Sequence, residues 1–190
     1  MEQKDIDEIY MRRCLQLAKN GQLLAKPNPM VGAVIVSHEG KIIGEGYHVR
    51  CGEGHAEVNA FQSVRSEDEY LLSKATIYVS LEPCSHYGKT PPCADLIVRK
   101  GVRRVVCGCI DPFSAVQGRG IERIRKSGID VTVGVLEQEC LMFNREFIVR
   151  NMENRPYILL KWAQTANGFI GYSQSVGSGK PVLQISNAFT

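Results

Sequence analysis

The pairing of His55-Ala56-Glu57 with Pro83-Cys84 and a second thiol at Cys93 constrains this chain more than any other feature. It offers one imidazole and two thiolates as metal donors, plus a carboxylate that ligation does not need. Three protein donors leave a tetrahedral zinc ion with one open position, and that opening separates catalytic from structural zinc. A water held there ionises near neutral pH, and Glu57 is placed to move its protons. His and Glu two apart at a helix start diverge in direction, so one can ligate while the other stays beside the ion. Four apart, both would face it together. A closed structural site would require a fourth ligand, for which His86 is the nearest candidate. Any fold adopted by this chain must therefore bring three separate segments to a single point.

The hydrophobic pattern supplies elements able to do so. Ile6 to Lys19 has helical spacing and a stop at Gly21. Val31 to Val36 reads as a buried strand, and Lys41 to Gly46 as its hairpin partner. A helix follows from His55 to Val64, then a β-branched run from Thr76 to Leu81. Ala94 to Lys100 is helical and ends at Gly101. Arg104 to Ile110 is a strand, Gly120 to Ser127 a helix stopped by Gly128, and Val131 to Val135 a strand. Leu136 to Val149 returns to helical spacing. Alternating strands and helices with an antiparallel opening pair predict an α/β layered domain with a mixed sheet.

H-x-E, then P-C, then a further Cys is the nucleobase deaminase signature. Most of that superfamily separates the two thiols by two residues, whereas eight intervene here, Ser85 to Pro92. The full run Pro83-Cys84-Ser85-His86-Tyr87-Gly88-Lys89-Thr90-Pro91-Pro92-Cys93 resembles the motif of the riboflavin-pathway pyrimidine deaminases. Pro27-Asn28-Pro29-Met30-Val31-Gly32-Ala33-Val34, Gly44-Glu45-Gly46-Tyr47-His48 and Gly118-Arg119-Gly120-Ile121 are similar to that family as well. The resemblance covers residues 5 to 150.

The resemblance implies a three-layer α/β/α cytidine-deaminase-like fold with a mixed sheet of roughly five strands. It implies one Zn²⁺ per chain, held by His55, Cys84 and Cys93, with Glu57 as the proton carrier. Asn28 would orient the base, although an Asn between prolines also serves as a plain turn former. His48 and Lys89 would meet the ribose-phosphate end. His86 and Thr90 either contact the same substrate or only brace the loop. The implied reaction converts 2,5-diamino-6-(5-phosphoribosylamino)pyrimidin-4-one to 5-amino-6-(5-phosphoribosylamino)uracil and ammonia. Phe113-Ser114 replaces the family's usual Asn-Pro, so no contact is carried over there. Asp111 reads more readily as a helix cap than as a substrate contact, and Gly118-Arg119-Gly120 as a turn rather than an anion loop.

Family members are usually bifunctional. Residues 1–150 are expected to form the deaminase domain, and 151–190 the truncated start of a reductase domain. Tyr157 to Ala163 resembles the first strand of that second domain, although Asn167 stands where the family has Asp. About 40 residues cannot supply a dinucleotide fold, so NADPH is not expected to bind. An unpaired apolar strand would leave an edge for another copy, so a homo-oligomer is an open expectation.

Composition narrows the alternatives. Hydrophobic residues make up 44% and charged residues 23%, as in an ordinary soluble globular protein. A net charge of +3 without a basic-aromatic cluster argues against a nucleic-acid partner. No apolar run is long enough for a bilayer span. Seven cysteines, two of them metal donors, fit a reducing cytoplasm better than a disulfide framework. Cys107-Gly108-Cys109 lacks a further ligand pair and reads as core, as do Cys14, Cys51 and Cys140. The rivals are a deaminase for another base and a metal-holding assembly module. Ammonia release from the phosphorylated pyrimidine separates them from the favoured reading.

Overall fold

Strand β1 (Gly32–Val36) is buried at all of its positions, as a strand covered on both faces must be. It is the second strand, next to the β2 edge, of a five-stranded sheet in the order β2-β1-β3-β4-β5. The others are β2 (Ile42–Tyr47), β3 (Thr76–Val79), β4 (Arg104–Cys107) and β5 (Asp130–Val133). β1 runs antiparallel to both β2 and β3, whereas β3, β4 and β5 are mutually parallel. The sheet is thus mixed, with the antiparallel pairs at the end where the hairpin sits. The computed structural model describes residues 2–87, 91–112, 117–164, 166 and 168.

Strand alternation sorts the core into two layers. Ala33, Ile35, Ile77, Val79, Val105 and Cys107 face one way. Helices α2 (Ala56–Gln62), α3 (Cys93–Lys100) and α4 (Arg119–Lys126) pack there through Ala60, Ile97 and Ile124. Val34, Val36, Tyr78 and Val106 face the other way, against Met11 and Cys14 of α1 (Gln3–Ala18) and Cys140 of α5 (Glu137–Phe143). This is the expected α/β/α arrangement with five strands.

Close approach fixes α2. A Cβ on Gly46 would overlap the Ala60 amide nitrogen and the Ala56 carbonyl, and one on Gly44 would meet the Ala60 carbonyl. The helix that begins beside His55 therefore lies directly on the β2 backbone, which only glycine permits.

Three elements differ from expectation. α1 starts at Gln3 rather than Ile6, because the Asp5 carboxylate accepts a 3.1 Å hydrogen bond from the Glu2 N–H at its start. A 3-10 segment, Ser66–Lys74, links α2 to β3 and carries no clear periodic signal. The single helix expected over 136–149 is two, α5 and α6 (Arg145–Glu153), broken at Asn144. The Asn144 side chain leaves the helix surface to bond the backbone of Met30, and this contact defines the break.

The coordinates divide into two compact units, Met1–Pro156 and Tyr157–Thr190. In the second, residues 157–164 form neither helix nor strand, so the strand expected over Tyr157 to Ala163 is not made. A strand is stabilised by its ladder, and no ladder partner is present among the described residues. Asn167 and residues 169–190 lie outside the described residues.

Gly46→Ala should lower stability by about 1–3 kcal/mol through overpacking against α2 and should reduce bound zinc by displacing His55. Denaturant titration and metal analysis of the variant check both effects.

Candidate active site

Two helix starts converge at one end of the sheet. His55 is the residue flanking α2, and Cys93 is the first residue of α3, after Pro92. Cys84 arrives from the segment following β3. Its thiol sulfur accepts from the Cys93 N–H at 3.3 Å, while its carbonyl accepts from the Ala94 N–H at 3.1 Å. The α3 terminus thus supplies donors that favour a thiolate.

The three donor atoms fit a zinc ion. His55 Nδ1 lies 3.5 Å from Cys84 Sγ and 3.4 Å from Cys93 Sγ. Zn–S and Zn–N bonds of ~2.3 and ~2.05 Å at the tetrahedral angle give an N–S edge of about 3.6 Å. The donors are therefore spaced as they would be around one ion. Among the described residues this is the only cluster of three or more such ligands, all within 4.8 Å of one another. His86 is not in that cluster, so no fourth side chain closes the site among the described residues.

Proton placement follows from burial and contacts. Hydrogen bonding from Cys93 lowers the Cys84 thiol, and His55 assists. Cys93 is raised because it shares that proton with Cys84 and is buried. The Cys84 contact raises His55 to about 9. Glu57, on the first turn of α2, is 3% exposed and is pushed up to about 7 by burial.

These groups line a cavity of about 300 Å³ together with Asn28, His48, Glu82, His86 and Asp111. His48 is buried, and its ring meets that of His55 edge-on at 5.4 Å. Nδ1 donates to the Gly54 carbonyl at 3.1 Å, so Nε2 accepts from Asn28 Nδ2 at 3.2 Å. The neutral tautomer satisfies both contacts, and burial lowers the His48 pKa accordingly. Asn28 is thereby held through its amide nitrogen. Lys89, Thr90 and Phe113-Ser114 lie outside the described residues.

The described part of the long loop is braced from α3 and α4. Tyr87 Oη donates to Asp95 at 3.0 Å, Arg123 pairs with Asp95 at 2.9 Å, and Arg123 also donates to the Ser85 carbonyl at 3.3 Å. Asp111 caps none of the described helices; α4 is preceded instead by Gly118 in a left-handed conformation, φ 78°. Arg119 opens α4 and borders a groove that also includes His86.

Glu82 escaped the sequence reading. Its buried carboxylate accepts from four backbone N–H groups: Asp111 at 3.2 Å, Gly118 at 2.8 Å, Gly120 at 2.9 Å and Ile121 at 3.3 Å. It ties the cavity wall at Asp111 to the start of α4. Gly120 packs so tightly on the Pro83 carbonyl that no Cβ fits. The one available signal was an acidic residue directly before Pro83-Cys84, where a strand end should turn apolar or neutral.

Fold and site together define a zinc deaminase of the cytidine-deaminase class. Residues 4–109 match the cytidine and deoxycytidylate deaminase zinc-binding region. The riboflavin biosynthesis protein RibD of Aquifex aeolicus is 47% identical over 87% of this chain and 45% of its own length. The diaminohydroxyphosphoribosylamino-pyrimidine deaminase of Buchnera aphidicola is 41% identical over 79% of this chain and 99% of its own length. A solved Thermotoga maritima deaminase/reductase superposes with TM-score 0.82 at 44% identity, covering 87% of this chain and 47% of that one. The chain belongs to the riboflavin-pathway diaminohydroxyphosphoribosylaminopyrimidine deaminase family. It spans under half the length of the RibD relatives it matches.

Two outcomes are expected at this site. Zinc binding near pH 7.5 should release two protons, one from His55 and one from Cys93, since both hold protons there before the ion binds. Affinity should therefore fall as pH drops; calorimetry in buffers of different ionisation enthalpy reads the proton count. Glu82→Gln should cost about 2–4 kcal/mol, because an amide cannot accept from all four N–H groups; chemical denaturation measures the loss.

Proposed function

We propose that the chain hydrolyses the 2-amino group of 2,5-diamino-6-(5-phosphoribosylamino)pyrimidin-4-one, giving 5-amino-6-(5-phosphoribosylamino)uracil and ammonia. The observation that carries this reading is the buried Glu57 carboxyl on the cavity wall beside three donors spaced for a single ion. The names of the Buchnera and Thermotoga relatives supply the substrate class.

His55, Cys84 and Cys93 would hold Zn²⁺ with one position left for solvent. When bound, the ion supplies the Lewis acidity that makes water nucleophilic at neutral pH. Glu57 would take a proton from the attacking water and pass it to the ring nitrogen, then take the proton of the newly added hydroxyl and deliver it to the departing amine. Water adds, ammonia leaves, and the carboxylate is regenerated. Burial raises the Glu57 pKa, and a cation held by the three donors would act in the opposite sense, favouring the carboxylate that accepts the first proton.

Asn28, its amide nitrogen bonded to His48, presents an acceptor to the base. His48 in this reading serves the base end, because a buried neutral imidazole bonded to Asn28 and Gly54 has no proton to offer a phosphate. Lys89, with His86 and Thr90, is assigned to the ribose-phosphate end, where charge-assisted bonds are strongest. All seven cysteines are free, which fits a reducing cytoplasm. No helix among the described residues is long and apolar enough to cross a membrane. We read residues 151–190 as the start of a reductase unit of the kind for which the Thermotoga maritima deaminase/reductase is named.

Glu57→Gln should keep stoichiometric zinc and lose turnover by roughly 10²–10⁴-fold. Ammonia release from the pyrimidine ribotide, with metal content measured in parallel, tests this; an active Gln variant would remove Glu57 from the mechanism.

A further inference from the structure

The zinc-binding region ends at residue 109, but the cavity does not. Phe147 and Asn151 of α6 line it as well. Four residues apart, they share one helix face. Both are partly buried, as are Ile148 and Val149, although α6 has no fully buried residue. Asn151 Nδ2 donates to the Phe147 carbonyl at 2.8 Å, leaving Oδ1 as an acceptor that makes no bond among the described residues.

The helix is held in register with the site. Asn144, 4% exposed at the α5–α6 break, accepts from the Met30 N–H at 2.8 Å and donates to the Met30 carbonyl at 2.9 Å. Met30 is two residues from Asn28, and Phe147 is three from Asn144. One side-chain amide thus couples the loop carrying Asn28 to the helix carrying Phe147. A two-bond clamp of this kind sets orientation as well as distance. It also explains why a helix with so little core of its own stays at the cavity mouth.

We propose that α6 is the specificity wall of the deaminase: Phe147 packs on the pyrimidine ring, Asn151 Oδ1 accepts from a ring amino substituent, and Asn144 is the positioning residue for both. This rests on the proposed function for the identity of the ligand. The ring donors of a diaminopyrimidine match an open amide oxygen, and its π-face matches a partly buried phenyl group. The chemistry at the zinc donors is common to a broad class, so discrimination among substrates falls to walls outside the shared region.

The test uses zinc-loaded full chain and compares wild type with Phe147→Ala, Phe147→Leu, Phe147→Tyr, Asn151→Ala and Asn144→Ala. KM and kcat are measured for the diaminopyrimidine ribotide, and product affinity by calorimetry. Loss of base stacking should weaken product binding and raise KM about tenfold to a hundredfold in Phe147→Ala, with kcat and zinc content little changed. Phe147→Leu should keep the melting temperature but not the affinity, and Phe147→Tyr should restore it. Asn151→Ala should raise KM for the diamino substrate more than for analogues lacking the 5-amino group. Asn144→Ala should raise KM like Phe147→Ala. Unchanged KM in Phe147→Ala and Phe147→Leu, or a melting-temperature loss with affinity retained, would overturn the assignment. A wild type that releases no ammonia from the ribotide would instead sink the proposed function, a result the variants cannot mimic.

Discussion

The site depends on two helix starts held face to face across a few ångströms. His55 flanks α2, Cys93 begins α3, and their donor atoms are 3.4 Å apart. Neither helix is long, so neither has much intrinsic stability; each is placed by what it lies on. For α2 that support is the bare backbone of β2 at Gly44 and Gly46, and for α3 it is the sheet face shared with Ile77 and Val105. Because the same apolar layer carries both helices, the metal geometry is a property of the core and not of a flexible loop. Cys84 is added last, from a strand end, with its sulfur tied to the α3 backbone.

Around this centre the polar groups are arranged so that each fixes another. His48 holds Asn28, Asn144 holds Met30, and Glu82 gathers four backbone N–H groups from the segment containing Asp111 and the start of α4. Buried polar groups are costly unless bonded, and here the bonds made to satisfy them are also the bonds that position the cavity walls. No buried side-chain nitrogen or oxygen among the described residues lacks a partner. Preorganisation of this kind is what a hydrolytic site needs, since groups that must reorient during reaction add to the barrier.

The cluster of candidate metal donors and the general layer order were legible in the sequence because each rests on local pattern. His55 and Glu57 sit two apart at a helix start, Cys84 follows Pro83, and the strand runs are β-branched. What could not be read were long-range side-chain contacts. Glu82 has no periodic signature, and its partners are up to 39 residues away. The break at Asn144 was missed since the residues on either side keep helical spacing; the cause is a bond to Met30, 114 residues distant. His48 is likewise placed by a contact across the fold. Its burial against His55 comes from the turn after β2, and composition says nothing about that turn.

These misses share a consequence for how the cavity is divided. The groups that do chemistry come from one contiguous stretch ending at β4, and local rules suffice to find them. Part of the lining that shapes the ligand's surroundings, Asp111 and the α6 residues Phe147 and Asn151, lies beyond that stretch, and only tertiary contacts bring it in. A chain can therefore keep the first set intact while the second varies, changing which ring is accepted without disturbing how it is hydrolysed. The clamp at Asn144 gives that separation a mechanical form: it ties the start of α6 to Met30, two residues from Asn28, and it bonds neither the zinc donors nor Glu57. A change on α6 should then register in substrate affinity before it registers in proton transfer, because in the proposed arrangement α6 meets the ring and not the proton carrier.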